Sequence, residues 1–141
     1  MQALVTGSAG FIGSHLVDAL VHDHDVRVLD DLSTGKADRV PDAATIVTGD
    51  VRNQGLVAHA MRDVDVVFHQ AADVSVPASV DDPAGTDDVN VDGTLNVLDD
   101  DAAQQEADEV AGGGEARAFD GVVDAVGEVL GDGDGGVVGH A

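Results

Sequence analysis

Three glycines, Gly7, Gly10 and Gly13, stand between a short apolar segment at 2–6 and a stretch at 11–21 whose apolar residues recur at helical spacing. The apolar segment is typical of a buried parallel strand, and the spacing after the glycines predicts a helix. Gly7 permits a tight turn, Gly10 lets a ligand approach the backbone, and Gly13 lets the helix pack closely on the strand. Because free N–H groups and the positive end of a helix dipole meet at such a turn, the sequence predicts a site for a dinucleotide pyrophosphate.

Predicted strands and helices alternate along the first 98 residues. The strands are predicted at 2–6, 26–30, 44–48 and 64–69, and the helices at 11–21, 53–61 and 89–98. The stretch rich in Asp and Pro between the last strand and the last helix is interpreted as a loop. This order predicts an α/β fold, with a doubly wound parallel sheet of about four strands and helices on both of its faces.

A carboxylate stands where the second predicted strand ends, at Asp30, 20 residues after Gly10. At that position it would accept hydrogen bonds from the hydroxyls of an adenosine ribose. It favours NAD, because a carboxylate there would repel the 2′-phosphate of NADP. The structural alternative is a glycine turn that binds nothing, and the neighbouring Asp31 is interpreted as solvated surface.

Longer motifs surround these residues. The segment TGSAGFIGSHLV at 6–17 is followed by VLDDLSTG at 28–35. Together they resemble the extended short-chain dehydrogenase/reductase family, in particular the NAD-dependent epimerases and dehydratases of the UDP-glucose 4-epimerase type. The segments GDVR at 49–52, VFHQAA at 67–72 and NVDGTLNVL at 90–98 are similar to further motifs of that family, in the same order. The resemblance implies NAD as the cofactor and a Rossmann-type sheet that is incomplete, at about four strands.

The resemblance also implies roles for single residues. By this resemblance, Asp50 and Val51 would lie against the adenine. The cofactor would cross the small residues at the end of the fourth strand, and Asn90 would support the active-site architecture. The candidate cofactor-binding residues are Gly7, Ser8, Ala9, Gly10, Phe11, Ile12, Gly13, Asp30, Asp31, Asp50, Val51, Gln70, Ala71, Ala72 and Asn90. No catalytic residue and no metal ligand is assigned.

Structural alternatives stand beside several of these residues. Asp50 also suits the end of a strand, where it would cap the next turn, and Asn90 also suits the cap of the last helix. His69 is interpreted as a histidine with satisfied hydrogen bonds at a strand end and not as a catalyst. His22 and His24 lie in an acidic turn without a third fixed ligand, so no metal site is predicted there.

In this family the chemistry is a hydride transfer to NAD, with a tyrosine base, a lysine four residues later and a serine or threonine that binds the reacting hydroxyl. The chain contains no tyrosine, and its single lysine, Lys36, lies in the predicted loop after the second strand. We therefore expect the chain to be the NAD-binding portion of a nucleotide-sugar epimerase or dehydratase, and we expect this portion to be inactive alone. The nucleotide sugar and a homodimer are expected only of an intact relative. The alternative is a non-catalytic NAD-binding module or sensor.

Composition changes near residue 98. Of the last 31 residues, 27 are Gly, Ala, Val, Asp or Glu, which are all encoded by codons that begin with G. A GC-rich gene read in a shifted frame would produce this bias. We interpret residues 1–98 as an NAD-binding Rossmann part and residues 99–141 as a low-complexity, acidic, Gly/Asp-rich tail that is frameshifted or disordered.

The chain carries 28 acidic and 6 basic residues, for a net charge of -22. Such a surface would repel nucleic acid and anionic lipid, so neither is a predicted partner. The absence of cysteine excludes disulfides, thiol nucleophiles and zinc thiolate sites. Because no run of 18 apolar residues occurs, we expect a cytoplasmic protein without a membrane partner, and the acidity predicts a salt-loving source.

Overall fold

The computed structural model describes residues 1–110 and, beyond residue 100, only the side chain of Ala103. Its strands are β1 Gln2–Thr6, β2 Asp25–Asp30, β3 Thr45–Thr48 and β4 Val66–His69. Its helices are α1 Phe11–Leu20, α2 Gln54–Met61, α3 Val76–Asp81, α4 Pro83–Asp87 and α5 Gly93–Val110. A short 3-10 helix, Ala37–Arg39, lies before β3, and a π-helical turn, Asp88–Asp92, leads into α5.

The four strands form one parallel sheet in the order β3-β2-β1-β4. The chain builds the sheet outward from β1 to β3 and then returns to place β4 on the other side of β1. The strand order therefore reverses between β1 and β4, and in such sheets ligands bind beyond the carboxyl ends of the strands at that point. In the register, Thr6 at the end of β1 lies beside both Leu29 and His69.

Alternate residues of the strands pack on opposite faces of the sheet. Val5 and Val28 lie on one face with Val17 and Leu20 of α1. Leu4 lies on the other face in a separate cluster, where the buried side chains of α2 and Val97 of α5 also pack. Helices therefore cover both faces, and the predicted doubly wound parallel sheet is confirmed. The central strand β1 is a nearly continuous apolar run because both of its faces are buried, whereas the edge strand β3 is largely exposed.

The structure differs from the sequence prediction after β4, where two short helices occupy part of the predicted loop. Ser75 caps α3, with its hydroxyl accepting the N–H of Ala78 at 3.3 Å. Asp82 caps α4 in the same way, with its carboxylate accepting the N–H of Gly85 at 3.0 Å. The prolines that suggested a loop stand in the first turns of these helices, where a missing N–H costs nothing.

Helix α5 continues past the predicted end at Leu98 to Val110. The stretch from 99 to 110 contains no glycine or proline, and its Ala, Gln and Glu residues favour a helix. The boundary at residue 98 stays a prediction, and the part of the predicted tail from residue 111 onwards lies outside the described residues. Within the described part of the chain, no helix is long and apolar enough to cross a membrane.

Candidate functional site

The glycine turn between β1 and α1 depends on two glycines for different reasons. Gly7 has a φ of +67°, and a Cβ added to it would lie 2.6 Å from the backbone N of Ala71. Gly13 has an ordinary φ, but its Cβ would collide with the carbonyl oxygen of Gly7 and lie 2.7 Å from Cα of Ser8. Because the obstructing atoms are backbone atoms, neither position can accept a side chain without moving the turn.

Gly10 is different, because a Cβ there would meet only the carbonyl oxygen of Gly7, at 3.2 Å. It is the N-cap of α1 and provides no side-chain hydrogen bond to the helix. The first turn of α1 also lacks an acidic residue, so its amide groups remain available to an anion. Phe11 and Ile12, which begin the helix, are 74% and 67% exposed.

Ser8 and Ala9 form the buried floor of the turn. The Ser8 side chain is fully buried, and its hydroxyl has no hydrogen-bond partner among the residues that the structure describes. Buried polar groups in native proteins are almost always paired. An unpaired hydroxyl inside a turn that excludes side chains fits a turn that completes its contacts with a bound polar group or an ordered water.

Asp30 connects the end of β2 to the glycine turn. One carboxylate oxygen accepts the N–H of Ala9 at 2.8 Å, and the other accepts the N–H of Leu32 at 2.8 Å. Leu32 is held with a φ of 59°, a left-handed conformation that is unfavourable for leucine. The Asp30 side chain is only 9% exposed, yet each of its oxygens has a second acceptor site for a ligand hydroxyl. Asp31, in contrast, is exposed, and its side chain accepts the N–H of Ser33 at 2.9 Å.

Asp50 follows β3 on the same edge of the sheet, and the N–H of Gly49 donates to the carbonyl of Asp30 at 2.9 Å. The Asp50 carboxylate accepts the backbone N–H of Arg52 at 2.8 Å and three hydrogen bonds from the guanidinium, the shortest at 2.6 Å. These hydrogen bonds from the Arg52 side chain hold the pKa of Asp50 below its ordinary value of 3.8. The side chain of Val51 is buried next to Gly93.

We expect the substitution Arg52→Gln to raise the pKa of Asp50 toward 3.8. The ionised carboxylate would lose its paired cation, and because the two side chains are 46% and 31% exposed, the free energy of unfolding should fall by less than about 1 kcal/mol. That contribution is present above pH 3.8 and is lost as the pH falls through the lowered pKa of the folded state. NMR titration of the Asp50 carboxyl would measure the change.

Arg62→Gln is the matched control, because Arg62 is exposed at the end of α2. An Asp50 pKa that moves equally in both variants would contradict the specific role of Arg52.

The segment after β4 meets the glycine turn through its backbone. The Cβ that Gly7 lacks would lie 2.7 Å from the carbonyl carbon of Gln70. The side chain of Ala71 is partly buried, whereas Gln70 and Ala72 are exposed. Asn90 contacts the loop beyond them: its amide oxygen accepts the N–H of Asp73 at 2.7 Å, and its amide nitrogen donates to the carbonyl of Asp73 at 2.8 Å. Asn90 therefore clamps the loop that follows β4.

His69 lies between β1 and α5 at this edge of the sheet. Its Nδ1 is 2.7 Å from Oγ1 of Thr6, and its Nε2 is 3.0 Å from Oγ1 of Thr94. Burial lowers the pKa of His69 below its ordinary value of 6.5. Sequence reasoning gave His69 a structural role without naming these partners. Thr6, Thr94 and Arg52 lie within the quoted motifs, but no role was assigned to any of them.

We expect the free energy of unfolding to be highest above pH 6.5 and to decrease as the pH falls below 6.5 toward the lowered pKa of folded His69. In that interval the unfolded chain binds a proton that the folded chain does not. The free energy of unfolding therefore falls by up to about 1.4 kcal/mol for each pH unit. Urea unfolding at a series of pH values would measure it. The variant His69→Asn should lack this component, and an unchanged slope in the variant would assign the effect to other histidines.

In the part of the chain that the structure describes, no three His, Asp or Glu side chains are grouped as a metal site.

Comparison with known proteins agrees with this arrangement. Residues 3–107 match the NAD dependent epimerase/dehydratase family. The UDP-glucose 4-epimerase of Mycolicibacterium smegmatis is 46% identical over 110 residues, which cover 70% of this chain and 34% of that protein. The crystal structure of Thermus thermophilus UDP-glucose 4-epimerase in complex with NAD is 46% identical, with a TM-score of 0.66 over 71% of this chain and 33% of that one.

A third similar protein is the UDP-glucose 4-epimerase of Thermotoga maritima, solved with UDP-glucose, which is 36% identical and has a TM-score of 0.71 over 73% of this chain and 34% of that one. The chain thus spans about a third of the length of the relatives that it matches. The match extends over most of the described residues and includes the glycine turn, Asp30 and the segment after β4. The chain belongs to the NAD dependent epimerase/dehydratase family.

Proposed function

We propose that the chain binds NAD at the carboxyl ends of β1, β2 and β4, as the cofactor-binding portion of a nucleotide-sugar epimerase or dehydratase. The observation that carries the proposal is the Asp30 carboxylate. It accepts the N–H of Ala9 from the glycine turn and keeps an acceptor site on each oxygen. A dinucleotide needs a pyrophosphate turn and a ribose acceptor side by side, and this hydrogen bond joins the two.

Each part of the dinucleotide has a group of residues that suits it. The pyrophosphate would lie on the backbone of residues 7–13 at the amino end of α1, and the adenosine ribose would lie on Asp30. The adenine would extend toward Asp50 and the backbone of Val51, which follow the neighbouring strand. The other half of the cofactor would cross the end of β4 at 70–72, next to the loop that Asn90 clamps. The exposed Asp31 would lie at the margin of the site.

Bound NAD would act as the hydride acceptor in the reaction of such an enzyme. The three relatives described above are named as UDP-glucose 4-epimerases, so we extend a nucleotide-sugar substrate to an intact protein of this type. The 141-residue chain contains no tyrosine to serve as the base. We therefore assign NAD binding, and no sugar turnover, to the chain alone.

Thermal melting with NAD and NADP tests the proposal without relying on catalysis. NAD should raise Tm in a saturable way, because a ligand that binds only the folded state stabilises it. NADP should bind at least about 10-fold more weakly, since its 2′-phosphate would face the Asp30 carboxylate. Equal affinity for the two would contradict the position of the ribose, and the absence of any shift would contradict the proposal as a whole. Epimerisation of UDP-glucose by the chain alone would contradict the assignment of binding without turnover.

We also propose that the protein works in the cytoplasm of a salt-rich cell, and that the intact relatives form homodimers. The net charge of -22 supports a salt-rich setting, because mutual repulsion of acidic groups is screened over about 3 Å at 1 M salt but over about 10 Å at 0.1 M. We expect Tm to be several degrees higher in 2 M KCl than in dilute buffer. A Tm that is independent of salt would contradict this part of the proposal.

A further inference from the structure

A row of hydrogen bonds crosses from the sheet to helix α5 through the ring of His69. The Oγ1 atom of Thr6 is 2.7 Å from Nδ1, and the Oγ1 atom of Thr94 is 3.0 Å from Nε2. Thr6 is fully buried at the end of β1, directly before the glycine turn. Thr94 lies in the first turn of α5. The direction of these hydrogen bonds follows from what else each hydroxyl contacts.

At the sheet end, the Thr6 hydroxyl already has two donors. The N–H of Ala71 donates to it at 3.2 Å, and the N–H of Gln70, shared with the Thr6 carbonyl, donates at 3.1 Å. A hydroxyl oxygen has two acceptor sites and one hydrogen. With both acceptor sites filled, Thr6 must donate its hydrogen to Nδ1 of His69, which is therefore an unprotonated acceptor.

At the helix end, the Thr94 hydroxyl donates to the carbonyl of Asn90 at 2.7 Å. Because its single hydrogen is used there, Thr94 can only accept from His69, and Nε2 must carry the proton. The two ends lead independently to the same species, a neutral imidazole protonated at Nε2. The lowered pKa of His69 agrees with a neutral ring.

The groups joined by this row border the proposed NAD site. Gln70 and Ala71, which bond to Thr6, are the residues whose backbone fills the space beside Gly7. At the other end, the Asn90 carbonyl accepts from Thr94, while the Asn90 side chain holds both backbone groups of Asp73. One histidine thus links the backbone against the glycine turn to the π-helical turn at Asp88–Asp92.

We propose that His69, as the tautomer protonated at Nε2, is a positioning residue that couples helix α5 to the dinucleotide site by holding the Gln70–Ala71 backbone against Gly7. The proposal rests on the proposed function for its effect on NAD, and on the hydrogen-bond pattern alone for the tautomer. Loss of the contact to α5 leaves the ring held only at Nδ1 by Thr6 and therefore free to rotate about that contact. The backbone after β4 then loses its fixed distance from the turn.

The test combines ¹⁵N NMR of the histidine rings with NAD titration of the full chain at pH 8. Thr94→Val removes the acceptor for Nε2 at nearly constant shape, Thr94→Ser keeps it, and Thr45→Val is a matched control on the exposed strand β3. His69 signals are identified as those absent from His69→Asn. The His69→Asn side chain keeps an acceptor near Thr6 but is too short to reach Thr94. This variant therefore also tests the coupling between α5 and the dinucleotide site if Thr94→Val does not fold.

In the wild type we expect a single neutral tautomer of His69, protonated at Nε2. In Thr94→Val we expect Thr6 to keep the same tautomer, the Nε2 signal to shift because its N–H has lost its acceptor, and NAD affinity to fall about 5-fold, the usual contribution of one hydrogen bond. Thr94→Ser should restore the Nε2 signal and the affinity, Thr45→Val should change neither, and His69→Asn should weaken NAD binding as Thr94→Val does. A wild-type His69 ring protonated at Nδ1 would overturn the assignment of the tautomer.

Unchanged NAD affinity in Thr94→Val or His69→Asn, with normal binding by the wild type, would overturn the positioning role alone. A wild type that does not bind NAD would overturn the proposed function and the positioning role together, while the tautomer would still be decided by the spectrum.

Discussion

The substitution Gly7→Ala should lower the free energy of unfolding by about 3 kcal/mol and abolish NAD binding. Gly7 has a φ of +67°, a conformation that costs a residue with a Cβ about 1–3 kcal/mol. The new methyl group would also lie 2.6 Å from the backbone N of Ala71, where no side chain can move aside. The turn would have to open, and the amide groups that we assign to the pyrophosphate would lose their arrangement. Urea unfolding and NAD titration measure the two effects.

Two other glycines are controls for this result. Gly55→Ala places a methyl group at an exposed position of helix α2, where the only close atom is Oδ1 of Asn53 at 3.7 Å, and it should raise the free energy of unfolding by up to about 1 kcal/mol. Gly10→Ala meets only the Gly7 carbonyl, at 3.2 Å, so it should keep most of the stability yet weaken NAD by obstructing the approach of the phosphates. If Gly7→Ala kept the stability and the NAD affinity of the wild type, the claim that the turn requires glycine at this position would be contradicted.

The substitution Asp30→Asn should weaken NAD binding by roughly 10- to 100-fold, because hydrogen bonds to a charged acceptor contribute about 1.5–3 kcal/mol. It should also lower the free energy of unfolding by about 1–3 kcal/mol. Both carboxylate oxygens accept backbone N–H groups, from Ala9 and Leu32, and the amide of asparagine would direct an NH₂ group at one of these donors. Preference for NAD over NADP should decrease as well, since the charge that repels the 2′-phosphate is removed.

Asp42→Asn removes the same charge from an exposed position before β3 and is the matched control. If Asp42→Asn weakens NAD as much as Asp30→Asn does, the effect belongs to the overall charge, and the ribose contact is contradicted. Calorimetric titration with NAD and NADP would separate these outcomes.

The parts of the fold that were predictable from the sequence are those encoded by local patterns. The apolar run before Gly7 and the helical spacing after it predict β1 and α1, and Asp30 is found at the end of β2 as expected. The short helices α3 and α4 were not predicted, because their prolines indicate a loop unless the capping roles of Ser75 and Asp82 are recognised.

The contacts that complete the candidate site could not be predicted, because they join residues that are far apart in the sequence. Thr6 and His69 are separated by 63 positions and become neighbours only through the register of β1 and β4. His69 and Thr94 are 25 positions apart and meet only when α5 packs on the sheet. Local periodicity contains no information on such pairs. The bond from Ala9 to Asp30, 21 positions apart, likewise depends on the turn geometry that Gly7 permits.

The most direct test of the account is an isothermal titration of the 141-residue chain with NAD in concentrated salt, with circular dichroism and melting to verify that the chain is folded. We predict saturable binding of one NAD per chain, with binding by Gly7→Ala undetectable and binding by Asp30→Asn strongly reduced. A folded wild-type chain that does not bind NAD would contradict the central claim that these residues form a dinucleotide site. Wild-type NAD affinity in the Gly7→Ala and Asp30→Asn variants would contradict it as well.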